Sequence, residues 1–517
     1  VFARSLKEIT LSAEVQAMLG LEQANIDPDS LITAILKAEL DLLWFGGIGT
    51  YVKASSENNV AVGDPANDAL RIDGAEVRAR VIGEGANLGC TQAGRIEFAL
   101  KGAGGTGGRG NTDFIDNSAG VDCSDNEVNI KIALAAAKRA GRLTEDERVA
   151  LLAAMTDEVA ALVLEDNRLQ ALALSIAEAG GAAATAAHLR LAEALEASGQ
   201  LDRRTEGLAE NEALLRRASD GRGLTRPELA VLLSSAKLAL QDALEQSGVV
   251  DDPGLATDLL AAFPAPMRER FEPEILDHRL RREIVATKLA NRMVNRLGLI
   301  HPFELAEEEG ATLAQVAAAF VAVERLFGMP AVWQALETTA MPESARLLLF
   351  ERAAAAMTDH MADMLRAGAG TVAASKLVAD LGPGVAALAD GSSGLLAAEA
   401  RAQSARMLAR FAGAGVPQAE AAMVTRLFDL DGSVGLARLA GETGVNPQAL
   451  THGFTDLGAR LGLDWAQMTA ARMSPSDPWE RLLVNSLARD FQQMRLGFLA
   501  GLPAGDLDAA VTKWLAD

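Results

Sequence analysis

The sequence predicts an α/β protein: a partial, doubly wound parallel sheet followed by a large all-α domain. Three observations predict it. Over residues 1–142, short apolar runs ending in glycine alternate with amphipathic helical segments, in the order helix, strand, loop, strand, helix, strand, helix. After about Arg142 the strand signals stop, and helical periodicity continues to Trp514. The composition, with aromatics at 4% and 16 prolines in 517 residues, favours helix over most of the length. A chain this long exceeds one ordinary core. The expected domains are residues 1–142, the second half of a Rossmann-type domain, because three strands are found where a complete one has about six, and residues 143–517, all helical. Within the latter, a sub-boundary is expected near 380–418, where LGPGVAALADGSSG and FAGAGVPQ concentrate glycine and proline.

Taken in order, PDSLITAILK has helical spacing with Asp27 as cap. LDLLWFGGIG reads as a buried parallel strand and the turn at its carboxyl end. ASSENNVAVGDPANDAL reads as loop, and VRARVIGEGAN as a second strand with a glycine turn. TQAGRIEFALK is a helix capped by Thr91, with Ile96, Ala99 and Leu100 expected to face inward. NTDFIDNSAGV is read as the third strand and its turn. SDNEVNIKIALAAAKRAG is then a helix capped by Ser124, with Asp125 and Glu127 in its first turn, where acidic groups suit the helix dipole. Further on, LTRPELAVLLSSAKLALQDAL carries a capping box, Thr225 with Glu228, before a stripe of Leu229, Leu232, Leu233, Ala236 and Leu240. HRLRREIVATKLANRMVNRLG and ESARLLLFERAAAAMTDHMADMLRAG are also amphipathic helices, and no fixed-period repeat is found.

The formal net charge of −22 makes nucleic acid an unexpected partner. Cys90 and Cys123 are the only cysteines, which fits a reducing compartment and sets aside a disulfide scaffold. They lack zinc spacing, and the five histidines are scattered, so no metal is expected. No apolar run of about 18 residues is present, so no membrane span is expected. No signal peptide is legible, and a cytoplasmic location is expected. The start at Val1, in VFARSLKEITLS, reads as the interior of a longer polypeptide.

Gly102, Gly104 and Gly107 match G-x-G-x-x-G, but they follow a helix and lead towards a strand, the reverse of a phosphate loop. A flexible surface connection is expected there. The glycines ending the first two strands are better placed: Gly46, Gly47 and Gly49, and Gly83 and Gly85. Ligands of open α/β sheets sit outside the carboxyl ends of the strands, and glycine admits a flat ring close to the backbone. Asn87 and Asn117 lie on the same expected edge, each offering an amide donor and acceptor. Tight turns with asparagines in left-handed conformations give the same pattern, so the residues alone leave both readings open.

DLLWFGGIGTYVKA, VIGEGANLGCTQAGRIEFALKG and NTDFIDNSAGVDCSDNEVNIKIAL resemble the large bacterial NAD-specific glutamate dehydrogenases, very long polypeptides with a central catalytic region and a helical C-terminal domain. LTRPELAVLLSSAK and HRLRREIVATKLANRMVNRLG are similar to that C-terminal domain. The resemblance is dense to about residue 140 and thins beyond about residue 300. It implies that residues 1–142 are the end of a dinucleotide-binding domain, with NAD as cofactor and L-glutamate, 2-oxoglutarate and ammonium as substrate and products. By likeness to the smaller glutamate dehydrogenases, Glu84-Gly85-Ala86-Asn87 resembles an EGAN turn whose asparagine lies by the nicotinamide ribose. Gly46 and Gly47 look like the strand end that meets the nicotinamide. Asn117 resembles an asparagine that contacts the cofactor ribose. Val121 and Ser124 match residues lining the pocket for the substrate side chain, and Ser124, at a helix start, would suit a carboxylate.

The resemblance also implies a catalytic lysine of lowered pKa and a first-strand phosphate fingerprint. Neither motif is present here. Lys53, Lys101 and Lys131 lie near the glycine turns, with nothing marking them as buried. GAGGTGGRG stands where the family has a shorter connection. The chain is therefore expected to be a C-terminal piece of a homo-oligomeric enzyme, inactive alone. Two other readings stay open: a stand-alone helical interaction or regulatory protein carrying a relic half-domain, and a dehydrogenase of a different amino acid.

Overall fold

A computed structural model describes residues 2–47, 49–473, 478–502 and 507–516. The chain forms two compact units, Val1–Ala239 with Leu259–Arg281, and Leu240–Asp258 with Arg282–Asp517. The expected boundary near residue 142 falls inside the first unit, just after Gly141 turns the chain with a φ of +71°.

In the first unit β1 (Ile9–Thr10) pairs antiparallel with β2 (Asn25–Ile26), flanking α1 (Ala13–Leu19). α2 (Pro28–Leu36) starts where expected, Asp27 accepting the backbone N–H groups of Asp29 and Ser30. β3 (Leu42–Phe45) is the first predicted strand. It lies parallel to a later one, with Leu42 opposite Val81 and Phe45 opposite Glu84; that partner, Val81–Glu84, is the second predicted strand. Between them β4 (Val52–Lys53) pairs parallel with β5 (Ile72–Asp73), around a connection holding the single-turn α3 (Asn59–Val62), and the Val81–Glu84 strand is β6. The period-two alternation sends Leu43, Phe45 and Ile82 into a core with Leu36, Cys90 and Phe98. Leu42 and Trp44, on the other face, are 55% and 57% exposed.

α4 (Gln92–Lys101) begins at Thr91, whose hydroxyl accepts the Gly94 N–H at 2.9 Å. Its buried face is not the expected one. Gly94, Arg95, Glu97 and Phe98 point inward, and Ile96, Ala99 and Leu100 are only half-buried. The cause is close backbone packing plus paired charge. A Cβ on Gly94 would come within 2.9 Å of the Lys53 backbone, while Arg95 and Glu97 are both hydrogen-bonded inside.

The predicted third strand is absent: NTDFIDNSAGV is helical, as α5 (Asp113–Asp116) and the start of α6 (Ser118–Arg139). Asp113 and Asp116 both sit in α5, where their carboxylates accept backbone N–H groups of a neighbouring turn rather than alternating about a strand. The sheet's third position is filled by one residue, Arg109, bridging parallel to Val81. Ser124 consequently lies inside α6 and is not its cap; its hydroxyl donates to the Gly120 carbonyl. The 102–110 segment is at the surface but tied down. Gly102 and Gly108 lie against the Phe98 ring so closely that an added Cβ would overlap it.

Helices α7 (Glu145–Ala154), α8 (Thr156–Ala179), α9 (Thr185–Ala197), α10 (Asn211–Ser219) and α11 (Arg226–Glu245) follow. Of the α11 capping box the Glu228 half is formed, its carboxylate accepting both the N–H and the hydroxyl of Thr225 at 2.7 Å. Its predicted apolar stripe is buried throughout. The second unit is helical among its described residues. Its predicted helices appear as Arg281–Leu297 and Glu343–Arg366. The glycine–proline run at 381–394 does not break the chain, because helix Ala374–Leu395 runs through Pro383. No single described helix is long and apolar enough to cross a membrane.

Candidate functional site

The carboxyl ends of β3 and β6 lie side by side, and the turns that leave them carry most of the residues singled out from the sequence. Asn117, between α5 and α6, donates from Nδ2 to Asn87 Oδ1 at 2.7 Å. Two asparagines 30 residues apart in sequence thus meet at the strand ends. Asn87 Nδ2 and Asn117 Oδ1 have no protein partner among the described residues, which leaves the pair a donor and an acceptor for a ligand.

Glu84 does something different. Its carboxylate is buried, 1% exposed, and accepts from Arg95 Nε at 2.6 Å, Arg95 Nη2 at 2.9 Å and the Cys90 N–H at 3.0 Å. Burial raises its pKa, and the Arg95 guanidinium offsets part of that rise. Glu84 therefore shapes the turn from inside. Asp113 receives the Leu88 N–H at 2.8 Å and pairs with Arg95 at 2.9 Å, and Asp116 receives the Glu84 N–H at 2.9 Å. These bonds hold Leu88 in a left-handed conformation, φ +56°, that a branched side chain rarely adopts. Asp113 and Asp116 were not identified from the sequence; their i, i+3 spacing immediately before Asn117 was the available signal.

The glycines divide by neighbour. An added Cβ on Gly83 or Gly85 would lie 2.5 Å from the Trp44 indole, so both clear room for that ring. A Cβ on Gly46 would touch the same ring at 3.7 Å, whereas Gly47 faces open space. Val121, 65% exposed, and Ser124, also exposed, lie three residues apart on one side of α6. The N-terminus of α6 is fixed from α8, where Asn167 and Gln170 donate to Ser118 Oγ at 2.9 and 2.5 Å. Lys53, Lys101 and Lys131 pair with Asp73, Glu97 and Glu127. Burial pushes the Cys90 thiol well up, and Cys123 is free and exposed. Among the described residues no group of three His, Cys, Asp or Glu could hold a metal ion.

Parallel strand ends with small-residue turns and a pair of part-satisfied amides define a protein with a small parallel sheet, a large helical part and a candidate ligand edge. Comparison with known sequences makes this more particular. Residues 1–177 match the family model of the bacterial NAD-glutamate dehydrogenase catalytic domain, and residues 221–517 match that of the glutamate dehydrogenase C-terminal region. The chain belongs to the bacterial NAD-glutamate dehydrogenase family. It is 38% identical over 523 residues to the NAD-specific glutamate dehydrogenase of Halomonas elongata and 39% identical over 522 residues to that of Pseudomonas aeruginosa. In both cases all of this chain and 32% of the relative are covered. It is 44% identical to the Mycobacterium tuberculosis enzyme of the same name over 348 residues, covering 66% of this chain and 21% of that one. The chain thus spans about a third of the length of the first two relatives.

Proposed function

We propose that this chain supplies the second half of the nicotinamide site of an NAD-dependent glutamate dehydrogenase, within a domain of Rossmann type ending near residue 142. The reaction is oxidation of L-glutamate to 2-oxoglutarate and ammonium. NAD, when bound, supplies the hydride acceptor. On the cofactor side stand Gly46, Gly47, Gly85, Asn87 and Asn117, with Glu84 holding the turn from within. The asparagine pair fits a ribose or carboxamide, because it combines an unused amide N–H with an unused carbonyl at the strand ends. On the substrate side stand Val121, which offers an apolar wall, and Ser124, whose hydroxyl can donate to a side-chain carboxylate. The lysine that activates the carbonyl and the phosphate-binding turn come from residues outside this chain, which is inactive by itself. A cytoplasmic homo-oligomer fits this reading.

The observation that carries the proposal is the Asn117–Asn87 hydrogen bond, in a chain matched over its whole length to NAD-specific glutamate dehydrogenases. The test uses the native polypeptide. Asn87→Ala and Asn117→Ala should each raise KM for NAD about tenfold, the factor that about 1.4 kcal/mol of lost contact gives, with KM for glutamate nearly unchanged. A native polypeptide that neither binds NADH nor oxidises glutamate sinks the reading and favours the helical interaction protein.

A further inference from the structure

The motif LTRPELAVLL, so far only a capping box and a stripe, also reaches the candidate site. Arg226, the first residue of α11, is 8% exposed and spans two groups of partners. Its Nη1 donates to Ser175 Oγ at 3.1 Å and to Glu178 at 2.9 Å, and its Nη2 to the Ala171 carbonyl at 3.3 Å, all on α8. Its Nε donates to Asn111 Oδ1 at 2.9 Å. Asn111 passes the connection on, its Nδ2 donating to Asp116 Oδ1 at 2.7 Å. The other oxygen of Asp116 accepts the Glu84 N–H at 2.9 Å, at the head of the turn that carries Asn87. The relay is continuous: donations from Arg226 to Asn111 and from Asn111 to Asp116 meet at the Asp116 carboxylate, which also accepts the Glu84 N–H.

We infer that Arg226 is a positioning residue of the nicotinamide site: through Asn111 and Asp116 it fixes the Glu84–Leu88 turn and so sets where Asn87 stands. The inference rests on the cofactor reading proposed above. It gives the C-terminal match a share in the site, because Arg226 lies within residues 221–517 while Asn111, Asp116 and Glu84 lie within residues 1–177. Neighbouring contacts reinforce the same attachment. Gln92 Nε2 donates to the Pro227 carbonyl at 3.1 Å, and Arg222 to the Leu100 carbonyl at 3.3 Å. Removing the guanidinium does not strand a carboxylate on α8, because Glu178 also receives Arg109 at 2.9 Å. The charge matters too. Burial raises the Asp116 pKa, while Asn111, the Glu84 N–H, Arg226 and Arg95 draw it back down. Nearby, Glu84 and Asp113 are both paired with Arg95.

The test is a double-mutant cycle in the native polypeptide, with NADH dissociation constants read from the fluorescence of bound NADH. Arg226→Met and Asn111→Ala should each weaken NADH binding about tenfold, and the double variant should be no weaker than the worse single, because both cut one relay. Arg226→Lys keeps the charge and loses the fork, so it should fall between wild type and Arg226→Met. Arg226→Met should also move the acid limb of NADH affinity to higher pH, since Asp116 then protonates sooner, and Arg226→Lys should not. Effects that multiply in the double variant, or an Arg226→Met protein binding NADH within twofold of wild type, overturn the inference. If Arg226→Met does not fold, Arg226→Lys with Asn111→Ala closes the same cycle. Failure of the unaltered polypeptide to bind NADH instead sinks the cofactor reading itself.

Discussion

Glu84 stands one residue from an exposed turn, yet its carboxylate is among the most buried in the first unit. Its two oxygens are used by Arg95 and the Cys90 N–H, so the pair is held by geometry as well as charge. Breaking a buried pair from one side leaves the other charge uncompensated, at a cost of about 3 kcal/mol or more. Glu84→Gln keeps the shape and one acceptor, and Arg95 keeps Asp113. The expected loss is therefore smaller, about 2 kcal/mol in urea unfolding at pH 7, with weaker NADH binding because the turn loosens. A variant as stable as wild type would show that the pair does not hold the turn. At this scale the sequence was partly legible. The types and places of Asn87 and Asn117 pointed to one edge, and they do meet. The inward orientation of Glu84 was not legible, because it depends on Arg95, eleven residues on. The room made at Gly83 and Gly85 for Trp44 was likewise hidden, since it comes from a neighbouring strand.

Among elements, β3, β6, α2 and α11 were readable because each follows from local pattern: a short apolar run before glycine, or a cap followed by a stripe. NTDFIDNSAGV was not readable, because its helical form depends on Asp113 and Asp116 gripping the turn after β6, a tertiary contact that overrides local preference. Burial of charge inside helices is similarly invisible to periodicity. Helix Glu343–Arg366 reads as amphipathic, yet Asp363 is 5% exposed and its Oδ2 has no hydrogen-bond partner among the described residues. Burial first, then nearby Asp431, pushes its pKa up to about 8; Arg366 and Arg489 pull the other way. An acid whose pKa is raised on folding binds a proton in the folded state that the unfolded chain has already lost. Stability is then fullest below about pH 4 for this group, falls as pH rises, and levels off above about pH 8. Asp363→Asn should flatten the decline in Tm between pH 6 and pH 8. An unchanged slope in that variant would show that Asp363 is not the titrating group.

For the molecule as a whole, composition made the all-α character of the larger part legible, and alternation made the small parallel sheet legible. Neither shows the further groups that the proposed reaction calls for. The structure supplies strand ends, an asparagine pair and a fixed turn, and none of Lys53, Lys101 and Lys131 stands apart from a carboxylate. A dehydrogenase also needs a group to move protons at the reacting carbon. Relatives covered to 32% of their length have room for that group in the remainder. If the division of labour proposed here holds, the cell's polypeptide is far larger than the 54.1 kDa of this chain. Blotting a cell extract with an antibody raised against residues 282–473 reads this directly, because those residues lie in the second unit and outside the sheet. A band about three times 54.1 kDa, the ratio set by the 32% coverage, is expected. A band near 54.1 kDa would mean that the cell uses these residues without an upstream lysine. The proposed division of labour would then fall, and the helices, not the strand edge, would be where to look for the activity.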